Sequence, residues 1–429
     1  MSSTPPGVAL SGGGVIAMLA SMCQLNTLDQ MFPRHNTTQA VVGATSGGIV
    51  GSILRATAPG RLGYPPSMRP RDYGSDASRE LSQRYKLHGV KQTAWFGAVT
   101  DLLAPLQRET EQAQHGGTWW TDTLEVAARV YNVDSAALVR PSNVITTASL
   151  LRASAAPLDR TADGVLRNAS NILFPAEITG GSGGGGGTLR VVGSTARLGP
   201  PPVALPDVLT ATSYSTSFWA GPLLEGPAVY DLIGRRLVPR YPPPHDELIV
   251  LDGGTHDSTA IGTLVRRRAD RILAFYNDNV DLHAFSSSLG YLFGVANRTT
   301  TLAMWEGPSL GQIFPSSYWP AVLANLTDPE VGTALLRDIP VLPNAYLGVS
   351  DGYNLRSLLI LATQYSEPFL REFDEVDPQV RKGLRKGWPE SVDLLGMSPL
   401  ETNALCMLAG WRVLNAEAQI RDAMGWHGD

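Results

Sequence analysis

Three short stretches hold residue types that can do chemistry, and each follows an apolar run. Ser11-Gly12-Gly13-Gly14 follows Gly7-Val8-Ala9-Leu10, Ala44-Thr45-Ser46-Gly47-Gly48 follows Ala40-Val41-Val42, and Asp252-Gly253-Gly254 follows Glu247-Leu248-Ile249-Val250-Leu251. A serine on a tight strand-to-helix bend, flanked by small residues, projects its Oγ clear of the backbone. Consecutive glycines ahead of a helix aim N–H groups at one point, aided by the positive end of the helix dipole. Such donors suit the oxyanion of a tetrahedral intermediate. A carboxylate at the end of a buried strand lies at the edge where open α/β sheets hold ligands. It could take the serine proton directly, provided burial raises its pKa above the ordinary value of about 3.9. The chemistry this set fits is acyl transfer through a covalent intermediate. Ser46 is the candidate nucleophile, Asp252 the candidate base, and Gly12, Gly13 and Gly14 the candidate oxyanion hole.

Other readings of the same residues stay open. The register Gly43-Ala44-Thr45-Ser46-Gly47 would make Thr45 the nucleophile. His256 and His283 follow Asp252 in the chain order of a Ser-His-Asp hydrolase. Each stretch could also be a glycine-rich α/β turn with no catalytic part. Two phosphate-binding patterns are excluded: the first lysine is Lys86, too late for a P-loop, and Ala17 breaks G-x-G-x-x-G.

The elements that must position these residues are partly readable. Val15, Met18, Leu19, Met22, Leu25 and Leu28 recur at helical spacing after the glycine loop, and Ile49, Ile53 and Leu54 do so after Ser46. Asn143–Ala148 and Leu189–Val192 read as strands, and Arg271–Tyr276 returns as a strand after the helical register of Ile261, Leu264 and Val265. Residues 247–276 therefore read as a βαβ unit in a partly parallel sheet. Uneven helix is expected over 78–108, and a helix opening at Trp119 and Trp120, both read as packing residues. Beyond 300 the pattern is mainly helical, with amphipathic stretches at 330–338, 354–373 and 400–424. Proline-rich connections occupy 57–76, 200–202 and 242–244, Thr210–Gly221 is a possible wall of the site, and the glycine tract at 180–187 is expected to be disordered.

Composition narrows the class. The chain has 429 residues, 43% hydrophobic and 17% charged, enough for a large core. A net charge of −5 offers no basic surface for nucleic acid. Two cysteines, Cys23 and Cys406, rule out a disulfide framework and a cysteine-based zinc cluster; Cys23 reads as a core residue. No signal peptide and no membrane-spanning run is apparent, so a cytoplasmic protein is expected, with peripheral membrane contact at most.

Ser11-Gly12-Gly13-Gly14-Val15-Ile16-Ala17-Met18, then a Ser-Gly elbow, then a strand ending in Asp-Gly-Gly, resembles the patatin-like and cytosolic phospholipase A family, nearest its cytosolic branch. The resemblance covers about residues 7–55 and 246–278. It implies an α/β fold in three α/β/α layers, with a mixed, largely parallel central sheet and extra C-terminal helices. It implies one catalytic domain over 1–429, with its core at about 7–300 and a mainly helical part at about 300–429. Its implied activity is hydrolysis of acyl esters in phospholipid or lysophospholipid at a membrane or micelle surface, by a Ser–Asp dyad without cofactor or metal. Residue by residue, Ser46 matches the nucleophile, Asp252 the base, and Gly12–Gly14 the oxyanion loop. The chain departs from the pattern at Ile16, where the family has a phosphate-contacting arginine, and at Ala44, where the elbow has a glycine. Too few residues precede Gly7 for a calcium-dependent membrane-binding domain, so any membrane contact is expected from exposed apolar or aromatic loops. A catalytically silent lipid-binding protein of the same fold is the alternative that these departures suggest.

Overall fold

The computed structural model describes residues 6–35, 40–49, 51–52, 144–152, 173–179, 188–192, 197–198, 248–278, 282, 288–295, 310–376 and 399–426. The expectations for 57–76, 78–108, the Trp119–Trp120 helix, 180–187, 200–202, 210–221, 242–244 and His283 lie outside these residues.

Among the described residues, ten strands form one sheet: β1 (Gly7–Leu10), β2 (Val41–Ala44), β3 (Val144–Arg152), β4 (Leu173–Thr179), β5 (Thr188–Val191), β6 (Arg197–Leu198), β7 (Leu248–Asp252), β8 (Arg271–Tyr276), β9 (Thr333–Val341) and β10 (Tyr353–Ala362). The order is β6-β5-β4-β3-β2-β1-β8-β10-β9, with β7 also paired to β3. The five central strands, from β3 to β10, run parallel, and the strands on either flank are antiparallel. The sheet is thus mixed with a parallel centre, as the sequence suggests.

The described helices are α1 (Gly14–Met31), helical residues 47–49 and 51–52, α2 (Gly254–Asp257), α3 (Ile261–Arg266), α4 (Ser288–Leu292), α5 (Trp319–Thr327), α6 (Glu367–Val376), α7 (Pro399–Asn415) and α8 (Glu417–Met424), besides short 3-10 turns. Strand alternation divides the core between the two sheet faces. Val8, Leu10, Leu273, Phe275, Leu359 and Leu361 point to one face, where Leu25 and Leu28 of α1 and Ile420, Ala423 and Met424 of α8 cover them. Ala9, Ile272, Ala274, Leu358, Ile360 and Ala362 point to the other, under Ile261, Leu264 and Val265 of α3 and Val322 and Leu326 of α5. The result is three layers, α/β/α.

The helix α1 is buried over nearly its whole girth because α7 packs on the side turned away from the sheet. Cys23 of α1 and Cys406 of α7 form a disulfide, with Cα atoms 5.4 Å apart, so Cys23 is both core and cross-link. Among the described residues, no helix is long and apolar enough to cross a membrane.

Two expectations are corrected. The stretches 330–338 and 354–373 are not continuous helices: β9 occupies the first from Thr333, β10 takes the second as far as Ala362, and only its end, from Glu367, is helix. The strand β10 lies between β8 and β9 and is buried on both faces from Ser357 onward, so its sequence is a continuous apolar run that period alone cannot tell from a helix. The unit 247–276 is not βαβ. Strand β7 pairs antiparallel with β3, whereas β8 joins the parallel centre beside β1. The parallel pairs are β3–β2, β2–β1, β1–β8 and β8–β10.

Candidate active site

Strand β2 ends at Ala44, and the chain turns at Thr45-Ser46 into the helical residues 47–49. Ser46 takes a φ of +50°. A non-glycine residue in that region is uncommon, and such strain collects at functional sites. Ala44 itself is regular buried strand, so the missing elbow glycine is not needed for backbone conformation. Ser46 is buried, with 5% of its surface exposed.

The elbow lies against the glycine loop without intervening side chains. A Cβ on Gly47 would stand 2.0 Å from the Gly14 carbonyl oxygen, so only glycine fits. A Cβ on Gly12 would stand 3.1 Å from Ser46 Cβ, which places the serine side chain over the loop. Gly13 has φ +132° and its Cα faces the Asn277 carbonyl oxygen so closely that a Cβ would sit 2.4 Å from it. The ladder continues into both turns: Ser11 N–H donates to Phe275 O and Thr45 N–H to Leu10 O, each at 3.1 Å. Ser11 Oγ accepts from Asn277 N–H at 2.7 Å and donates to Gly12 O at 2.9 Å.

The loop's donors differ from one another. Gly12 N–H donates to Ser258 O at 2.7 Å. Gly13 and Gly14 head α1, where N–H groups have no carbonyl from a preceding turn. A buried polar cluster seats this helix over the sheet: Asn277, Gln24, Thr363 and Ser21 are joined by hydrogen bonds of 2.6–3.2 Å. Ile16, in the first turn of α1, is buried with 2% of its surface exposed.

Asp252 ends β7, and its backbone is placed by β3. Strand β4 takes one edge of β3; β2 and β7 share the other. Ala44 lies opposite Thr146 and Asp252 opposite Ala148, with β2 and β7 running toward each other. Two residue steps along β3, about 7 Å, therefore separate their carboxyl ends. The structure thus brings the backbones of Ser46, Asp252 and the glycine loop to one edge of the sheet.

Sequence reasoning missed Asp257. Its carboxylate is fully buried: Oδ1 accepts from Thr259 N–H at 3.2 Å and Thr259 Oγ1 at 2.6 Å, and Oδ2 from Thr263 N–H at 3.1 Å. Burial pushes its pKa up, opposed by those bonds and by the charge of Arg266. The available signal was Asp-x-Thr ahead of a helical register, a turn and capping pattern. Nearby, Glu177 of β4 holds Arg266 Nε at 2.8 Å and Arg267 Nη2 at 2.7 Å. Burial acts to raise the Glu177 pKa, but the two guanidinium groups more than offset it and hold the carboxyl below its ordinary value.

The rival nucleophile and the rival base are both engaged. Thr45 is fully buried, and its Oγ1 donates to Asp257 O at 2.8 Å. His256 is buried, and its Nδ1 shares a hydrogen bond with Tyr346 Oη at 2.9 Å. Among the described residues, no three His, Cys, Asp or Glu side chains come together as a metal site.

No protein-family model matches the sequence, and a search of curated proteins finds no match. Among solved structures, human GIVD cytosolic phospholipase A2 is similar at 14% identity and a TM-score of 0.47, over 98% of this chain and 60% of that one. The chain thus spans about 60% of the length of that structure.

Proposed function

We propose that this chain is a serine lipid acyl hydrolase that cleaves carboxylic esters of glycerophospholipids or lysophospholipids. The observation that carries the reading is Ser46, held at φ +50° on a strand-to-helix elbow and laid against the glycine loop that heads α1. The convergence of the β2 and β7 carboxyl ends supports Asp252 as its partner. The substrate class follows from the resemblance of the three motifs to the patatin-like and cytosolic phospholipase pattern.

In this mechanism Asp252 takes the Ser46 proton as Oγ attacks the ester carbonyl. The N–H groups of Gly13 and Gly14 receive the oxyanion, while Gly12, whose N–H is already engaged, supplies space for the serine. Protonated Asp252 gives its proton to the leaving alcohol, and water then resolves the acyl-enzyme by the same steps reversed. Thr45 is assigned a structural role because its hydroxyl is donated to Asp257 O. The substrate is met at a membrane or micelle surface.

The test is labelling of the folded chain with a lipid-like fluorophosphonate, followed by peptide mapping. An adduct on Ser46, lost in Ser46→Ala and in Asp252→Asn, is the expected result. An unlabelled protein that still binds phospholipid vesicles would refute the hydrolase and leave the silent lipid-binding protein, the reading that buried Ile16 in place of an arginine favours.

A further inference from the structure

We infer that the Asp257-Ser258 peptide is a positioning element that sets the gap between Ser46 and the glycine loop, with Thr45 as its clamp. The inference rests on the hydrolase reading of Ser46. Two successive carbonyls of this segment hold the two halves of the site. Asp257 O accepts Thr45 Oγ1–H at 2.8 Å, and Ser258 O accepts Gly12 N–H at 2.7 Å. Thr45 directly precedes the nucleophile, and Gly12 is the loop residue that lies under the Ser46 Cβ. A Cβ on Gly12 would also stand 2.9 Å from Ser258 Oγ, so elbow, loop and segment meet at one point.

The segment is itself anchored. The Asp257 carboxylate accepts three hydrogen bonds from Thr259 and Thr263, which ties it to the first turn of α3, a helix packed on the sheet. Thr263 Oγ1 in turn meets Thr147 Oγ1 at 3.1 Å, at the level of β3 that separates the ends of β2 and β7. The chain of bonds therefore runs from the sheet through α3 and Asp257 to both Thr45 and Gly12. Asp257 O, the last carbonyl of α2, also accepts the Ala260 N–H at 3.4 Å, and the Thr45 hydroxyl, at 2.8 Å, is its shorter bond. That hydroxyl spans the elbow and the segment; the methyl group beside it only packs. Placement errors of about 1 Å at reacting atoms cost about a hundredfold in rate, so a tether of this kind controls reactivity from outside the reacting set.

The test compares wild type, Thr45→Val and Thr45→Ser in the full chain, with two readouts. One is amide hydrogen exchange across residues 7–14; the other is the rate of fluorophosphonate labelling. Thr45→Val keeps the shape and removes the donor: exchange at Gly12 is expected to rise and labelling to fall by about 10–100-fold. Thr45→Ser keeps the donor and removes the methyl group, and is expected to behave as wild type in both. The reverse pattern, with Thr45→Val normal and Thr45→Ser impaired, would show a packing role and overturn the inference. Unchanged exchange and labelling in Thr45→Val would overturn it too. If wild type is not labelled at all, the hydrolase reading fails, while exchange still decides whether the bridge exists. Should Thr45→Val not fold, Asp257→Asn carries the test, since it turns one acceptor facing Thr263 into a donor. Labelling and exchange at wild-type levels in that variant refute the anchor.

Discussion

Gly47→Ala is the sharpest test of how tightly the elbow and the glycine loop are packed. Gly47 does not have a left-handed φ, so alanine is acceptable to its own backbone and only space is at issue. The added Cβ would stand 2.0 Å from the Gly14 carbonyl oxygen and 2.9 Å from its carbon. Close C···O contacts in proteins lie at about 3.3 Å, so the two backbones must separate by about 1 Å. No side-chain rotation can relieve this, because the obstacle is main chain. Overpacking of this kind costs about 1–3 kcal/mol in stability. A shift of that size between Ser46 and the loop is worth about a hundredfold in rate. The assay pairs urea unfolding with the pseudo-first-order rate of fluorophosphonate labelling at Ser46. Gly410→Ala is the control: its Cβ meets only the Thr27 hydroxyl, at 2.9 Å, on a later turn of α1. The expected result is a folded Gly47→Ala protein, modestly destabilised and about a hundredfold slower to label, beside a control that labels normally. Labelling of Gly47→Ala at the wild-type rate would refute the argument that loop and serine are held in register by this contact.

Two further outcomes concern the fold. Glu177→Gln strips the counter-charge from Arg266, whose side chain is nearly buried, and is expected to cost about 3–5 kcal/mol in urea unfolding. Because the folded Glu177 pKa lies below its ordinary 4.5, its contribution is present above that pH and is lost as pH falls through the folded value. Wild-type stability should therefore drop more steeply on the acid side of pH 4.5 than that of the Gln variant. Thiol titration of denatured, unreduced protein should find neither Cys23 nor Cys406 free, and Cys406→Ser should lower stability by about 2–4 kcal/mol. Two titratable thiols in protein taken from its native compartment would contradict the bond and fit the cytoplasmic setting that the sequence suggests.

What could be read from the sequence follows how local each signal is. Strands β1 and β8 begin and end where apolar run and flanking residues place them, and the two turns into 14–31 and 47–52 are announced by glycines that sterics demand. The strand state of β10 is hidden because Leu355, Leu358 and Leu359 satisfy helical spacing as well as a doubly buried strand does. The direction of β7 was misread because its pairing partner is β3, about a hundred residues away, and no local residue records which edge a strand will join. The engaged N–H of Gly12 was invisible for the same reason: its acceptor, Ser258 O, arrives from the far side of the chain.

That unreadable pairing is also what the proposed site rests on. In an all-parallel sheet, neighbouring strands would deliver their carboxyl ends side by side, about 4.8 Å apart and all pointing the same way. Here β2 and β7 occupy one lane along β3 and face each other, so the elbow and the Asp252-Gly253 turn open toward the same gap from opposite ends. Thr147 of β3 marks the gap and is tied to Thr263 of α3. Both chain ends then drop onto the same support, Thr45 on Asp257 O and the Asp252-Gly253 turn through the α2 bond from Asp257 N–H to Gly253 O at 3.1 Å. In the proposed mechanism the nucleophile and the base would approach each other from these two ends. The proposed Ser46–Asp252 pair rests on this convergence of backbones, and the Asp252→Asn labelling experiment tests it.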